Sequence, residues 1–321
     1  MKAIRINEFG GPEVMKLIDI KRPVPTPDEI LVKVYASGVN PADYIIRQGG
    51  NDFLKHYLKL PLGLGLEAAG IVEEVGSGVK TFKKGDQVYG VSNFLDGSYT
   101  EYLAAKASQF ALKPKSTNFN EAGAIPSCAL MAWNGMADFG KVQPGQRVLI
   151  NGAAGGIGSL ALQIAKAKGA YVIGTSSEHN FDFLKKLGAD KVIEYRNQNS
   201  EELLHNIDIV FNAAPVSDDK VELNLVETLN QGGTFVSVHV AKPFSDDFKD
   251  ATDKKQVRGV HIERNIHIEE SLTEVAKLID EGKVKVIVSK VYPIEKVAEA
   301  HRESETKHVR GKLVLEIRKE N

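Results

Sequence analysis

The chain has 321 residues, 42% of them hydrophobic, with 41 Lys and Arg against 42 Asp and Glu and one cysteine. That length and core content suit two ordinary soluble domains or one large one, and the balanced charge, with no block of one sign, argues against a nucleic-acid arm or a membrane-surface patch. A lone thiol, Cys128, excludes an internal disulfide framework and fits a reducing compartment.

Residues 1–10 alternate apolar and polar side chains and lack the apolar stretch of a signal peptide. The apolar runs are too short or too rich in glycine to span a bilayer. A cytoplasmic location is therefore expected. β-prone runs at 30–36, 70–75, 87–91 and 98–104 follow, separated by Gly, Pro or Asp. Pro23, Pro25 and Pro27 read as an extended surface connection, because alternate prolines fix φ and remove donors. This part of the chain is predicted to be β-rich and partly barrel-like.

From Glu121 the texture changes. Residues 147–151 form a short buried-strand run, and Ile157, Leu160, Ala161, Ile164 and Ala165 then have helical spacing. A second strand (171–175), a second helix (181–187) and further strands (207–212 and 234–238) continue the alternation, which predicts a parallel sheet covered on both faces. A helix over 269–281 stops at Gly282, a natural C-cap. Beyond Lys285 the β-rich texture returns at 286–292 and 312–317. The expected organisation is one β-rich domain of residues 1–121 and 286–321, interrupted by a dinucleotide-binding domain of residues 122–285.

The turn Gly152-Ala-Ala-Gly-Gly-Ile-Gly158 joins the strand at 147–151 to the helix that follows. Its spacing, Ala153-x-Gly155-x-x-Gly158, is a variant of the dinucleotide fingerprint. Gly155 lets backbone approach a pyrophosphate, and Gly158 lets the helix pack closely on the strand. Backbone at Gly156 and Ile157 would supply N–H groups at the positive end of the helix. The second strand ends in Thr175-Ser176-Ser177, where an NAD site would want a carboxylate. Ser176, Ser177 and the hydroxyl of Tyr195 suit a 2′-phosphate, so NADPH is expected, with Glu178 as the opposing neighbour. The strand-end backbones at Ala213, Ala214, Val238 and His239 lie where open parallel sheets bind ligands.

The order and spacing of several fragments resemble the medium-chain dehydrogenase/reductase superfamily, in particular its quinone oxidoreductase (zeta-crystallin-like) branch. The fragments are Ala36-Ser-Gly-Val-Asn-Pro-Ala-Asp43, Gly65-Leu-Glu-Ala-Ala-Gly70, Gly97-Ser-Tyr-Thr-Glu-Tyr102, the glycine turn, Leu187-Gly-Ala-Asp190 and Arg310-Gly-Lys312. The resemblance spans the chain. It implies an α/β fold with a Rossmann-type doubly wound domain inserted into a β-rich GroES-like catalytic domain. It also places Asn40, Leu66 and Ser127 where zinc relatives carry Cys, His and Cys. Leucine cannot ligate a metal, and Asn and Ser are poor zinc ligands, so the expected site is metal-free.

Without a Lewis acid to stabilise an alkoxide, an electrophilic acceptor is the better substrate. The resemblance therefore implies NADPH and a quinone or α,β-unsaturated carbonyl, with catalysis supplied mainly by positioning. Asn40 is the leading pocket residue, for the acceptor carbonyl or the nicotinamide ribose. Tyr44 is a candidate donor to a developing oxyanion, although the family pattern often has its Tyr one position later, where this chain has Ile45. Phe94 is placed in the substrate-lining loop. Met131 is expected to face the nicotinamide and Lys312 to approach the cofactor, while Trp133 reads as core. His239 reads as a structural imidazole before a proton donor. A homodimer through the sheet edge near 257–262 follows the family habit. The competing readings are a zinc-type reductase of another carbonyl class and a non-catalytic NADPH-binding regulator or RNA-binding protein.

Overall fold

The computed structural model describes residues 1–51, 54–93, 96–194, 204–214, 219–239, 243–262 and 267–320. The chain begins with β1 (Lys2–Ile6), β2 (Lys16–Asp19), β3 (Glu29–Val39) and α1 (Pro41–Arg47). It continues through β4 (Leu62–Gly63), β5 (Glu67–Val75), β6 (Gln87–Val91), β7 (Tyr102–Lys106) and β8 (Phe110–Leu112). Helices α2 (Phe119–Gly123) and α3 (Pro126–Trp133) lead into β9 (Arg147–Asn151) and α4 (Gly156–Ala167). Next come β10 (Tyr171–Ser176), α5 (Phe181–Lys186), β11 (Lys191–Glu194), β12 (Ile207–Asn212) and α6 (Asp219–Glu227). After β13 (Leu229–Ser237), α7 (Asp246–Lys255) and β14 (Arg258–His261), the chain ends in α8 (Ile268–Asp280), β15 (Val288–Pro293), α9 (Val297–Glu305) and β16 (Lys312–Glu316).

These elements form two compact units. The first comprises Met1–Ser127, His267–Asp280 and Val286–Asn321; the second comprises Cys128–Ile266 and Glu281–Lys285. In the first unit, strands run in the order β15-β16-β3-β5-β6-β8, with β7 also on β3, beside a smaller sheet β2-β1-β4. Ile30, Val32 and Val34 of β3 pack with Val72, Val88, Leu103 and Phe110, an apolar face that only strand alternation can assemble. β16 lies antiparallel to β3, with Leu313 opposite Val39, so the end of the chain rejoins its beginning.

Two details differ from expectation. Helix α8, read as part of the nucleotide-binding segment, belongs to the first unit: Tyr89 donates to the carbonyl of Leu272 at 2.6 Å, and Asp280 accepts from the backbone of Ser116 at 2.9 Å. Its apolar stripe, Leu272, Val275 and Ile279, required a partner without naming it. The strand expected from residue 98 starts at Tyr102. Gly97 has φ +79°, and the N–H groups of Ser98 and Tyr99 turn to the carbonyls of Gly65 and Leu64.

In the second unit six strands run parallel in the order β11-β10-β9-β12-β13-β14. Val148, Leu149 and Ile150 are fully buried, as the central strand of a sheet covered on both faces requires. Helix α4 buries Leu160, Ala161, Ile164 and Ala165. The strand order reverses at β9, whose neighbours are β10 and β12, so their carboxyl ends flank the switch point where such sheets bind ligands. Trp133, read as core, is only half-buried and has the Lys168 ammonium 5.6 Å from its ring centroid.

Candidate active site

A buried carboxylate organises the first unit. Glu67 opens β5 and is fully excluded from solvent. Its Oε1 accepts from Asn40 Nδ2 at 2.8 Å and Lys312 Nζ at 2.9 Å, while Oε2 accepts from the Ser127 backbone at 2.6 Å. Its N–H donates to Ser98 Oγ and its carbonyl accepts from Ser37 Oγ. Gly38 leaves the necessary space, since a Cβ there would lie 2.1 Å from Glu67 Oε1. Three fragments that looked separate in the sequence therefore converge on one side chain.

Lys312 is nearly as buried, and its ammonium also donates to the carbonyl of Val39 and to Asn40 Oδ1. Expected from the sequence to approach the cofactor, it forms an ion pair with Glu67 inside the first unit. Two charges at such depth persist only when paired and hydrogen-bonded. The ammonium also neutralises the carboxylate beside Asn40, Leu66 and Ser127, which makes this cluster a poor home for a divalent cation.

A second buried chain begins at Asp43, three residues from Asn40. Asp43 Oδ2 accepts from the Asn40 backbone at 2.8 Å and from Tyr99 Oη at 2.8 Å, so Asp43 orders the start of α1. Burial pushes its carboxyl up to about 7 against the pull of these bonds. Tyr99 Oη lies 3.4 Å from His301 Nε2, and His301 Nδ1 lies 3.1 Å from Arg47 Nη1. An arginine only donates, so Nδ1 is the acceptor and the neutral ring carries its proton on Nε2, toward Tyr99. Burial, and then Arg47, lower His301 to about 3. Arg47 is closed off by Glu305 and by the carbonyl of Gly10. Tyr44 is half-buried on α1, with its phenol pushed up by burial and by Glu305, and so remains a proton-bearing donor.

In the second unit the glycine turn caps β9. Gly152 has φ +78°, and a Cβ on Gly158 would lie 2.2 Å from the Gly152 carbonyl, so both glycines are demanded by the turn itself. Gly155 is different: a Cβ there would meet nothing nearer than 3.6 Å. It is the N-cap of α4, where no side chain caps the free N–H groups. An open glycine before an uncapped helix fits an anionic ligand. Ala153 is buried and spends its N–H on Thr175. Gly156 and Ile157 are half-buried at the helix start.

The ends of β9, β10 and β12 carry a polar relay that sequence reasoning missed. Thr175 Oγ1 donates to Asn151 Oδ1 at 2.6 Å, and Asn151 Nδ2 donates to Asn212 Oδ1 at 2.9 Å. Asn212 Nδ2 is buried with no partner among the described residues, a donor left unmade at the switch point. Ala213 and Ala214 follow it, with N–H groups directed at Asn151 and Asn212. Val238 and His239 follow the end of β13, where the Val238 N–H donates to the carbonyl of Asn212. Ser176 is buried, and Ser177 Oγ lies 3.1 Å from His179 Nδ1 and accepts from Asn180 Nδ2 at 3.3 Å. Met131 is half-buried on α3. Phe94 and Tyr195 lie outside the described residues.

The chain matches two family models, one described as an alcohol dehydrogenase GroES-like domain over residues 26–115 and one as a zinc-binding dehydrogenase over residues 187–315. It is 34% identical to the quinone oxidoreductase of Sus scrofa, over 98% of this chain and 97% of that protein. The quinone oxidoreductase structure from Coxiella burnetii superposes with a TM-score of 0.88 at 34% identity, covering 99% of each chain. The Escherichia coli quinone oxidoreductase complexed with NADPH superposes at 0.85 with 30% identity, over 98% of this chain and 99% of its own. Among the described residues no helix is long and apolar enough to cross a membrane.

Proposed function

We propose, for a chain that belongs to the medium-chain dehydrogenase/reductase superfamily and to its quinone oxidoreductase branch, an NADPH-dependent reduction of a quinone or α,β-unsaturated carbonyl that needs no zinc. The observation that carries this reading is the Asn40–Glu67–Lys312 cluster. Beside Leu66 and Ser127 it offers the Asn40 amide as a hydrogen-bond donor, held by the Glu67–Lys312 ion pair, in place of metal ligands. Such a site stabilises charge developing on a carbonyl oxygen but has no Lewis acid for a plain alcohol.

The open turn at Gly155 and the unmade donor of Asn212 support a dinucleotide in the second unit. Backbone N–H groups at Gly156 and Ile157 would hold its pyrophosphate, and Ser176 and Ser177 its 2′-phosphate. NADPH supplies the hydride when bound. Asn40, with Tyr44 and Phe94, would orient the acceptor and meet the charge that forms on it. β14 pairs only with β13 among the described strands and leaves an open backbone edge, which supports a homodimer built there. The lone buried thiol suits the cytoplasm.

The test is stopped-flow loss of NADPH absorbance against a panel of quinones and a panel of enones. Oxidation by either panel supports the assignment, and no oxidation by both overturns it.

A further inference from the structure

We infer that Glu67 and Lys312 are positioning residues that fix the sense of the Asn40 amide, so that its side chain offers the acceptor an N–H and never a carbonyl. The inference rests on the reading of Asn40 as an acceptor-pocket residue.

The two ends of an asparagine amide have nearly the same shape, and an isolated one turns over at little cost. Asn40 is bracketed by groups of opposite and exclusive character. The Lys312 ammonium can only donate and faces Oδ1; the Glu67 carboxylate can only accept and faces Nδ2 at 2.8 Å. Turning the amide over would set carbonyl against carboxylate and NH2 against ammonium, in a place where all three side chains are buried. Low polarity at such a site strengthens both the correct bonds and the penalty for the wrong ones.

The bracket is itself held. Glu67 is fixed by Ser127, Ser98 and Ser37, with Gly38 leaving it room, and Lys312 by the carbonyl of Val39. Asp43 accepts the backbone N–H of Asn40, so the asparagine does not swing about its own main chain. The second hydrogen on Nδ2 has no acceptor among the described residues. It is the donor the amide has left. Hydride delivery to a quinone or enone leaves negative charge on a carbonyl oxygen, which an N–H stabilises and a carbonyl would repel.

The charge-neutral double variant E67Q/K312M removes the bracket without stranding a buried charge. Its single-turnover hydride transfer at saturating NADPH should fall on the order of 10-fold. N40A should fall further, and adding E67Q/K312M to N40A should change nothing more, because both act through one amide. An equal further loss in the N40A background would overturn the inference, since the pair would then act independently of Asn40. A wild-type rate in N40A would instead sink the reading of Asn40 itself. E67D, which keeps the charge and shortens its reach, supplies a second variant if the double one does not fold, and a wild-type rate there also refutes the positioning role. A cofactor-free readout is available in 15N-labelled protein. One Asn40 Nδ2 hydrogen should be protected from exchange in wild type and lose that protection in E67Q/K312M and E67D; equal protection would overturn the idea.

Discussion

Replacing Asp43 by Asn should make the protein progressively more stable than wild type as pH rises from about 4 to 7. In the folded chain burial holds the Asp43 carboxyl at about 7, whereas unfolding returns it to 3.8. Between those values the folded state binds the extra proton, so wild-type stability falls as pH rises, by about 4 kcal/mol over the whole interval. His301 has the opposite sign. Its folded value is about 3 against 6.5 when unfolded, so wild-type stability falls as pH drops through that interval. The two slopes oppose each other between pH 4 and 6.5, and D43N should expose the His301 limb alone. Urea unfolding of both proteins across this range tests it, because subtracting one curve from the other removes the groups they share. A difference that does not change with pH would refute the argument, as Asp43 would then titrate alike in folded and unfolded chains.

The two glycines of the turn should separate structure from binding. Gly158→Ala forces a Cβ to 2.2 Å from a carbonyl and should cost about 1–3 kcal/mol in a thermal melt, whereas Gly155→Ala has room for its methyl and should melt like wild type. Fluorescence titration should nevertheless show G155A binding NADPH about 10-fold more weakly, and unchanged affinity would remove the turn as the pyrophosphate site. Ser177→Asp puts a carboxylate at the end of β10 and should shift the ratio of NADPH to NADH affinity toward NADH by at least about 10-fold; an unshifted ratio would move the 2′-phosphate elsewhere. Dialysis against a strong chelator should leave turnover unaltered, and a loss restored by zinc would contradict the chemistry of Asn40, Leu66 and Ser127.

Local patterns carried much of the fold. The buried run at β9, the glycine turn and the helical spacing of α4 are contiguous, so their signal survives in one stretch of sequence. The site was less legible because its contacts are not local. Glu67 meets Asn40 across 27 positions and Lys312 across 245, and His301 meets Arg47 across 254. A single sequence offers only an acidic residue set among Leu66, Ala68 and Ala69 as a hint of a buried carboxylate. Lys312 read as a cofactor contact for the same reason, since a lysine near the end of a chain shows its charge but not its partner. Asn151 and Asn212 were hidden differently: each closes an apolar strand and looks like an ordinary turn residue until the parallel register sets them side by side.

The hydrogen bonds from Arg47 through His301 and Tyr99 to Asp43 all point one way. A conduit for protons must be refilled from its outer end, and here that end is a guanidinium that does not release one. The line is therefore insulated, able to polarise Asp43 but not to resupply it. Whatever protonates a reduced acceptor must draw on water or another group, which makes the solvent isotope effect a report on a route separate from this chain.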